Sequence, residues 1–260
     1  MAIVAIIPAR YAATRLPGKP LSDIHGKTMI ERVFERARAA SRVDRVLVAT
    51  EDERIASAVR GFGGEAVLTS AAHATGTDRL AEAARVIEAE ILINVQGDEP
   101  MLDPAGIDAV VQALHDDPGL EIATLSLPLR SVDEMLAASV VKVVTDAAGD
   151  ALYFSRSPIP HVRQGARSDA RAAAAAAVAR GLARKHVGLY GYRREALLRF
   201  AALPPSPLEE AEGLEQLRAL AHGMRIHVVP WGAEGGVAVD TPEDLERVRA
   251  LLVPEKGNRV

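Results

Sequence analysis

The chain has 260 residues, 48% of them hydrophobic, a formal net charge of -4 and no cysteine. That length suffices for one large domain or two small ones with a real core. The interspersed charge gives no footing for nucleic acid, and the missing thiols exclude disulfides, thiolate metal sites and cysteine nucleophiles. No apolar run approaches a membrane span, and residues 1–8 lack the charged start and cleavage site of a secretory signal. A cytoplasmic protein with no membrane and no nucleic-acid partner is expected.

The apolar residues 3–7 read as a buried first strand. The run breaks at Pro8 into a loop that carries Arg10, Arg15 and Lys19, includes Gly18, and holds no acid before Asp23. In an open α/β sheet such a loop lies at the carboxyl end of the first strand, where ligands bind. Three cations with backbone N–H groups suit a polyphosphate; a solvated basic loop is the plainer alternative. Residues 29–40 have helical spacing, 45–49 read as a second strand and 52–60 as its following helix. A helix over 78–87 and a buried strand over 91–95 come next, the strand ending in Gln96-Gly97-Asp98. A helix over 104–115 and a strand over 121–127 continue the alternation, which argues for parallel βαβ units.

The middle of the chain changes character. Residues 140–145 and 151–154, joined through Gly149, read as a β-hairpin, and 187–193 as a further strand. The segment 128–193 is thus expected as an inserted antiparallel lobe within a single domain of residues 1–260. Between hairpin and strand, residues 167–184 contain the alanine run 172–177, a good helix former with little apolar bulk, expected as a surface helix or lid. The α/β pattern returns with a helix over 208–222, a strand over 225–229 and a helix over 242–252 capped by Asp240 or Thr241.

Two glycine patterns mimic nucleotide motifs and fail on context. Gly61, Gly63 and Ala66 match G-x-G-x-x-A, but here the helix comes before the pattern, so the glycines are expected to end that helix in a left-handed cap. Gly26-Lys27-Thr28 resembles the end of a phosphate loop whose first glycine would fall at Leu21.

Asp98, just past a strand end, is placed to project into the same cleft as the basic loop. A hard divalent cation in a nucleotide site takes one or two carboxylates plus phosphate oxygens and water. Asp240, at the mouth of a strand-like segment 236–239, is the second candidate ligand, and helix capping is its competing role. Thr75 and Thr77 offer hydroxyls at a helix start that favours anions, Thr77 being the expected cap, while Arg79 suits a carboxylate. Strand alternation puts His186, Gly188, Tyr190 and Tyr192 on one face, either a hydroxylated-ligand surface or a half-buried edge. Glu209 and Glu212 follow a capped helix start, where they bind hydroxyls or complement the helix dipole.

Taken together, IPARYAATRLPGKPL (7–21), GTDRLAE (76–82), NVQGDEP (94–100), ALYFSR (151–156), HVGLYGYR (186–193), PSPLE (205–209), LEQLR (214–218) and VDTPEDLERV (239–248) resemble the 3-deoxy-manno-octulosonate cytidylyltransferases, or CMP-Kdo synthetases. The resemblance covers nearly the whole chain. It implies an α/β fold, a Rossmann-like nucleotidyltransferase sheet flanked by helices, with an inserted antiparallel β lobe used for homodimer contact. It implies transfer of CMP from CTP to Kdo for lipopolysaccharide assembly, with Mg2+ as cofactor. Carried over by motif, Arg10, Lys19, Asp98 and Asp240 are catalytic, and Asp98 with Asp240 hold the metal. Ala9, Arg10, Arg15, Lys19, Thr75 and Gly76 bind nucleotide, and Arg79, Gln96, His186, Tyr190, Glu209 and Glu212 line the sugar pocket. Thr28 and His25 depart from the familiar proline and asparagine, and the alanine-rich linker looks longer than usual. An 8-amino-Kdo or sialic-acid acceptor, or a non-catalytic nucleotide-binding regulator, are the alternatives.

Overall fold

Strands and helices alternate along the first hundred residues as the apolar periodicity requires. In a computed structural model that describes residues 2–12, 16–73, 75–163, 169–232 and 236–252, the order begins with β1 (Ile3–Ala9), a short 3-10 turn (Lys19–Leu21), β2 (Asp23–Ile24) and β3 (Lys27–Thr28). Next come α1 (Met29–Arg38), β4 (Arg45–Thr50), α2 (Glu53–Gly61), β5 (Glu65–Leu68), α3 (Gly76–Val86), β6 (Ile91–Asn94) and α4 (Pro104–Asp116). Then follow β7 (Ile122–Pro128), α5 (Val132–Leu136), β8 (Lys142–Thr145), β9 (Ala151–Ser155), α6 (Ala170–Ala179), β10 (Arg184–Arg193) and α7 (Arg194–Ala201). The remaining elements are α8 (Pro207–Glu212), α9 (Gln216–Ala221), β11 (Ile226–Pro230) and α10 (Pro242–Leu251). The chain divides into two compact units, residues 1–108 with 235–260, and residues 109–234. Among the described residues no helix is long and apolar enough to cross a membrane.

In the first unit the strands lie in the order β6-β1-β4-β5, all parallel. Val4, Ala5, Ile6 and Ile7 of β1 are buried, as are Ile91, Leu92 and Ile93 of β6. Strands buried on both faces need apolar runs without alternation, which explains why the periodicity found them. The carboxyl ends of β1, β4 and β6 open into the loops that carry Arg10, Glu51 and Asp98. Thr28 caps α1 by accepting from the Glu31 amide, so its departure from proline leaves the helix start intact. Gly63 has φ 80° and the Gly64 amide donates to Val59 O, the helix-ending cap expected. Gly26, at φ 78°, turns β2 into β3, and no phosphate cradle forms there.

In the second unit β7 pairs in parallel with β11 and antiparallel with β10, and β8 pairs antiparallel with both β10 and β9. The expected hairpin is β8–β9, with Val143 opposite Phe154 and Gly149 at φ 87° in its turn. This unit is wider than the segment 128–193, because α7, α8, α9 and β11 are part of it. The alanine run forms α6, and it is packed: Ala174 and Ala177 are buried with Leu129, Met135 and Val162, and Ala173 is buried as well. Small side chains allow close approach, so low bulk did not mean a bare surface.

Several boundaries need correction. The helix expected over 208–222 is two helices, because Gly213 takes φ 61° and ends α8 in a left-handed cap. The segment 236–239 is irregular. Thr75, not Thr77, caps α3, while Thr77 is a buried residue of its first turn. Of the two caps expected for α10, Thr241 is the one that forms, in a capping box with Asp244. Strand β5 and helices α5 and α7 had no counterpart in the sequence reading. Residues 164–168, within the alanine-rich linker, lie outside the described residues.

Gly97 sets the spacing between the two central strand ends. A Cβ there would meet Pro8 O at 2.9 Å, a backbone atom with nowhere to go. Gly97→Ala should therefore destabilise the protein by about 1–3 kcal/mol, the range for overpacking, as read by urea unfolding; a wild-type midpoint would refute the constraint.

Candidate active site

The 3-10 turn after the basic loop starts from Gly18 in a left-handed conformation and buries Pro20, which aims Lys19 back at the sheet edge. Its ammonium donates to Asp98 Oδ2 at 2.8 Å, Val239 O at 2.9 Å and Asp240 Oδ1 at 3.3 Å. The Val239 amide donates to Asp98 O at 2.8 Å, so backbone as well as side chains join the two acidic loops. Asp240 is held from the other side, its amide donating to Asp244 Oδ2 in the capping box of α10. One lysine thus gathers the chain after β1, after β6 and before α10.

These groups face a cavity of about 370 Å³. Ala9, Arg10, Lys19, Thr75, Gly76, Arg79, Gln96, Asp98 and Asp240 all line it, so the structure brings nine of the expected residues onto one surface. Arg15 lies outside the described residues. His73, which belongs to no site motif, also lines the cavity. Its Nε2 is paired with Glu82 Oε2, and the Ser70 amide and His73 hold the Glu82 carboxyl below its usual range. Thr75 Oγ1 accepts from the Asp78 amide, and the amino end of α3 at Gly76 gives the cavity a wall suited to anions.

Arg79 has partners that its motif did not suggest. It is 4% exposed, with Nη2 2.7 Å from Glu51 Oε2 and Nη1 donating to Thr69 Oγ1. Glu51 Oε1 in turn accepts from the Tyr11 amide at 3.3 Å. The Arg54 guanidinium lies 3.3 Å from the Tyr11 ring centroid and is held by both oxygens of Asp52. The Gly18 amide donates to Tyr11 O, and a Cβ on Gly18 would lie 3.2 Å from the Tyr11 hydroxyl. Arg79 and Glu51 therefore position the basic loop through Tyr11. Nothing in the sequence flags Glu51, because it sits outside any motif.

The other expected sugar-binding residues belong to the second unit. His186, Tyr190 and Tyr192 do share a face, in a row of rings from Phe154 to Phe200: Phe154–His186 5.0 Å, His186–Tyr190 5.4 Å, Tyr190–Tyr192 5.8 Å and Tyr192–Phe200 6.2 Å between centroids. His186 pairs with Thr124 Oγ1 at 3.1 Å, and desolvation pushes its pKa down to about 3, so the ring is neutral. Burial raises the pKa of Tyr190, and a hydrogen bond with Thr124 offsets only part of that; Gln216 Nε2 is buried without a hydrogen-bond partner among the described residues, and such an orphaned group calls for an explanation.

Glu209 and Glu212 are engaged inside the protein. Glu209 closes the capping box with Ser206 and grips Arg218 Nε at 2.9 Å. Desolvation pushes its pKa up, but the Arg218 and Ser206 hydrogen bonds outweigh that and leave it below the usual carboxylate value. Glu212 accepts from Ser155 Oγ at 2.6 Å and the Arg156 amide at 2.9 Å. Beside it lies the buried Lys142, its ammonium donating to Ala137 O, Val140 O and Arg156 O. Desolvation lowers the pKa of Lys142.

Two carboxylates converging on one cation, Lys19, suit a hard divalent metal. Among the described residues no group of three or more His, Cys, Asp or Glu could hold a metal ion. A metal at Asp98 and Asp240 would therefore complete its shell with ligand oxygens and water, as Mg2+ in nucleotide sites does.

A parallel sheet with cations and paired acids at its carboxyl edge defines a nucleotide-handling α/β protein. Residues 4–226 match the cytidylyltransferase family. A 3-deoxy-manno-octulosonate cytidylyltransferase of Syntrophotalea carbinolica is 55% identical over 252 residues, covering 97% of this chain and 99% of that protein. Its Geobacter sulfurreducens counterpart is 54% identical over 97% of this chain and 100% of its own. The solved structure of CMP:2-keto-3-deoxy-manno-octonic acid synthetase complexed with CTP aligns with TM-score 0.87 at 46% identity, over 97% of this chain and 98% of that one. A 4-diphosphocytidyl-2C-methyl-D-erythritol synthase of Anaerococcus prevotii, at TM-score 0.62 and 12% identity, covers 96% of this chain and 98% of its own and shares the fold alone. The chain belongs to the cytidylyltransferase family and, within it, to the 3-deoxy-manno-octulosonate cytidylyltransferases.

Arg79→Ala would leave Glu51 without its buried partner, an effect of about 3 kcal/mol. Urea unfolding should show that loss together with weaker nucleotide binding; unchanged stability with lost activity would return Arg79 to direct substrate contact. The Glu209–Arg218 pair has an acid signature. Because the folded pKa of Glu209 is depressed, its contribution is present above the unfolded value and is lost as pH falls through the folded one. The stability gap between wild type and Glu209→Gln should therefore be full at about pH 6 and shrink below about pH 4; a gap independent of pH would refute it.

Proposed function

We propose that this protein transfers CMP from CTP to 3-deoxy-D-manno-octulosonate (Kdo), releasing pyrophosphate and CMP-Kdo for lipopolysaccharide assembly. The reading is supported by the family and by relatives bearing that name over nearly their full length. The observation that carries it is the meeting of Arg10, Lys19, Asp98 and Asp240 on one cavity, beside the amino end of α3.

The anomeric hydroxyl oxygen bonds to the α-phosphorus, the bond from that phosphorus to the β-phosphate oxygen breaks, and the hydroxyl proton leaves to solvent. Attacking and leaving groups both bring negative charge, so positioning and charge neutralisation carry most of the catalysis. Arg10 and Lys19 hold the triphosphate and the departing pyrophosphate. The amino end of α3, with Thr75 and Gly76, takes the nucleoside end. Asp98 and Asp240 would hold Mg2+, which supplies charge neutralisation at the reacting phosphate and lowers the pKa of the attacking hydroxyl. The same reading carries a homodimer formed through the antiparallel strands, for which Leu152 of β9, 62% exposed, offers apolar surface. It puts the reaction in the cytoplasm, the compartment that holds nucleoside triphosphates.

Pyrophosphate release from CTP and Mg2+ is expected only when Kdo is added. Release with sialic acid or 8-amino-Kdo in place of Kdo would move the acceptor, and CTP binding without release under any acceptor would make the protein a regulator. Asp98→Asn and Asp240→Asn should each lower turnover about 100-fold or more, the scale for a preorganised charge-stabilising group, with thermal midpoints near wild type. Near-normal turnover by either variant would remove that residue from the site.

A further inference from the structure

Lys19 has three ammonium protons and three acceptors: Asp98 Oδ2, Val239 O and Asp240 Oδ1, at 2.8, 2.9 and 3.3 Å. The side chain is only 16% exposed, and its position is the point where the two carboxylates converge. One ammonium so engaged has no proton left for a phosphate. Two acids meeting at one place also repel each other unless a cation sits between them. The seat suited to a divalent metal and the seat of Lys19 therefore overlap.

We propose that Lys19 is an internal counterion: it fills the cation seat between Asp98 and Asp240 while nucleotide is absent, and leaves it for the nucleotide phosphates when a divalent cation arrives with them. The inference rests on the reading of Asp98 and Asp240 as metal ligands. A lysine suits the task because its charge is a compact point on a flexible stem, whereas a planar guanidinium is built for fixed bidentate contacts. Arg10, on the wall of the same cavity, stays available to phosphate throughout. Free metal must compete with an ammonium tethered in place, while metal and nucleotide arriving together do not. Metal and nucleotide thus bind with positive coupling, each raising the affinity for the other.

The test is Mn2+ titration of the full chain without nucleotide, followed by the EPR signal of free Mn2+. Lys19→Met removes one positive charge from the seat and is expected to bind Mn2+ about tenfold or more tighter than wild type. Lys19→Arg keeps the charge and should bind as weakly as wild type. Adding Asp98→Asn to Lys19→Met should abolish the gain. Equal affinity of wild type and Lys19→Met would overturn the proposal, as would a gain that survives Asp98→Asn. If Lys19→Met does not fold, Lys19→Gln replaces it with the same expectation. Neither CTP nor Kdo enters this titration, so a failure of the transfer assay with Kdo would overturn the proposed reaction and leave the Mn2+ comparison standing.

Discussion

A single ammonium joins three stretches of backbone that the chain order keeps far apart. Lys19 reaches Asp98 across 79 residues of sequence and Asp240 across 221. Closing such loops has an entropic cost that grows slowly with length, and the parallel sheet has already met it by bringing the ends of β1 and β6 side by side. Gly97 then lets one strand end approach Pro8 O within a distance that no side chain permits. The ammonium finishes what the backbone starts, holding two like charges together at the rim of a cavity.

The charged groups of this protein divide by environment. Asp98 and Asp240, 28% and 45% exposed, keep access to water and thus to ligands. Glu209 and Glu212 have their oxygens taken by Arg218, Ser155 and the Arg156 amide. Breaking a buried pair costs far more than its net contribution suggests, so such groups hold loops in one geometry. The Arg79–Glu51–Tyr11 chain does the same for the basic loop, and Lys142 does it with three backbone carbonyls at the base of the β8–β9 hairpin.

The legibility of the sequence follows the same division. Strands β1 and β6 stood out because burial on both faces demands uninterrupted apolar residues. Strand β5 escaped notice because only four residues form it and none is buried. Helices α8 and α9 merged because apolar spacing continues across Gly213, whose backbone twist leaves no trace in periodicity. Lys19, Asp98 and Asp240 were legible as residue types next to strand ends. Their mutual hydrogen bonds were not, since spacing along a chain says little about which carboxylate a flexible lysine will choose. Arg79 was found and its partner was not: Glu51 stands at the end of β4 with no neighbouring pattern to mark it.

The lysine seat also has a consequence for the order of events during synthesis. Val239 and Asp240 supply two of its three acceptors, and they emerge from the ribosome long after β1, β4, β5 and β6 can pair. A nascent chain that already holds the basic loop and Asp98 carries an ammonium with one acceptor in place of three. Such a chain keeps the Lys19–Asp98 pair but lacks Val239 O and Asp240, so its ammonium is less fully engaged than in the finished site. A truncation between residues 98 and 239 removes two of the three acceptors of the Lys19 ammonium and leaves Asp98 as its one remaining partner.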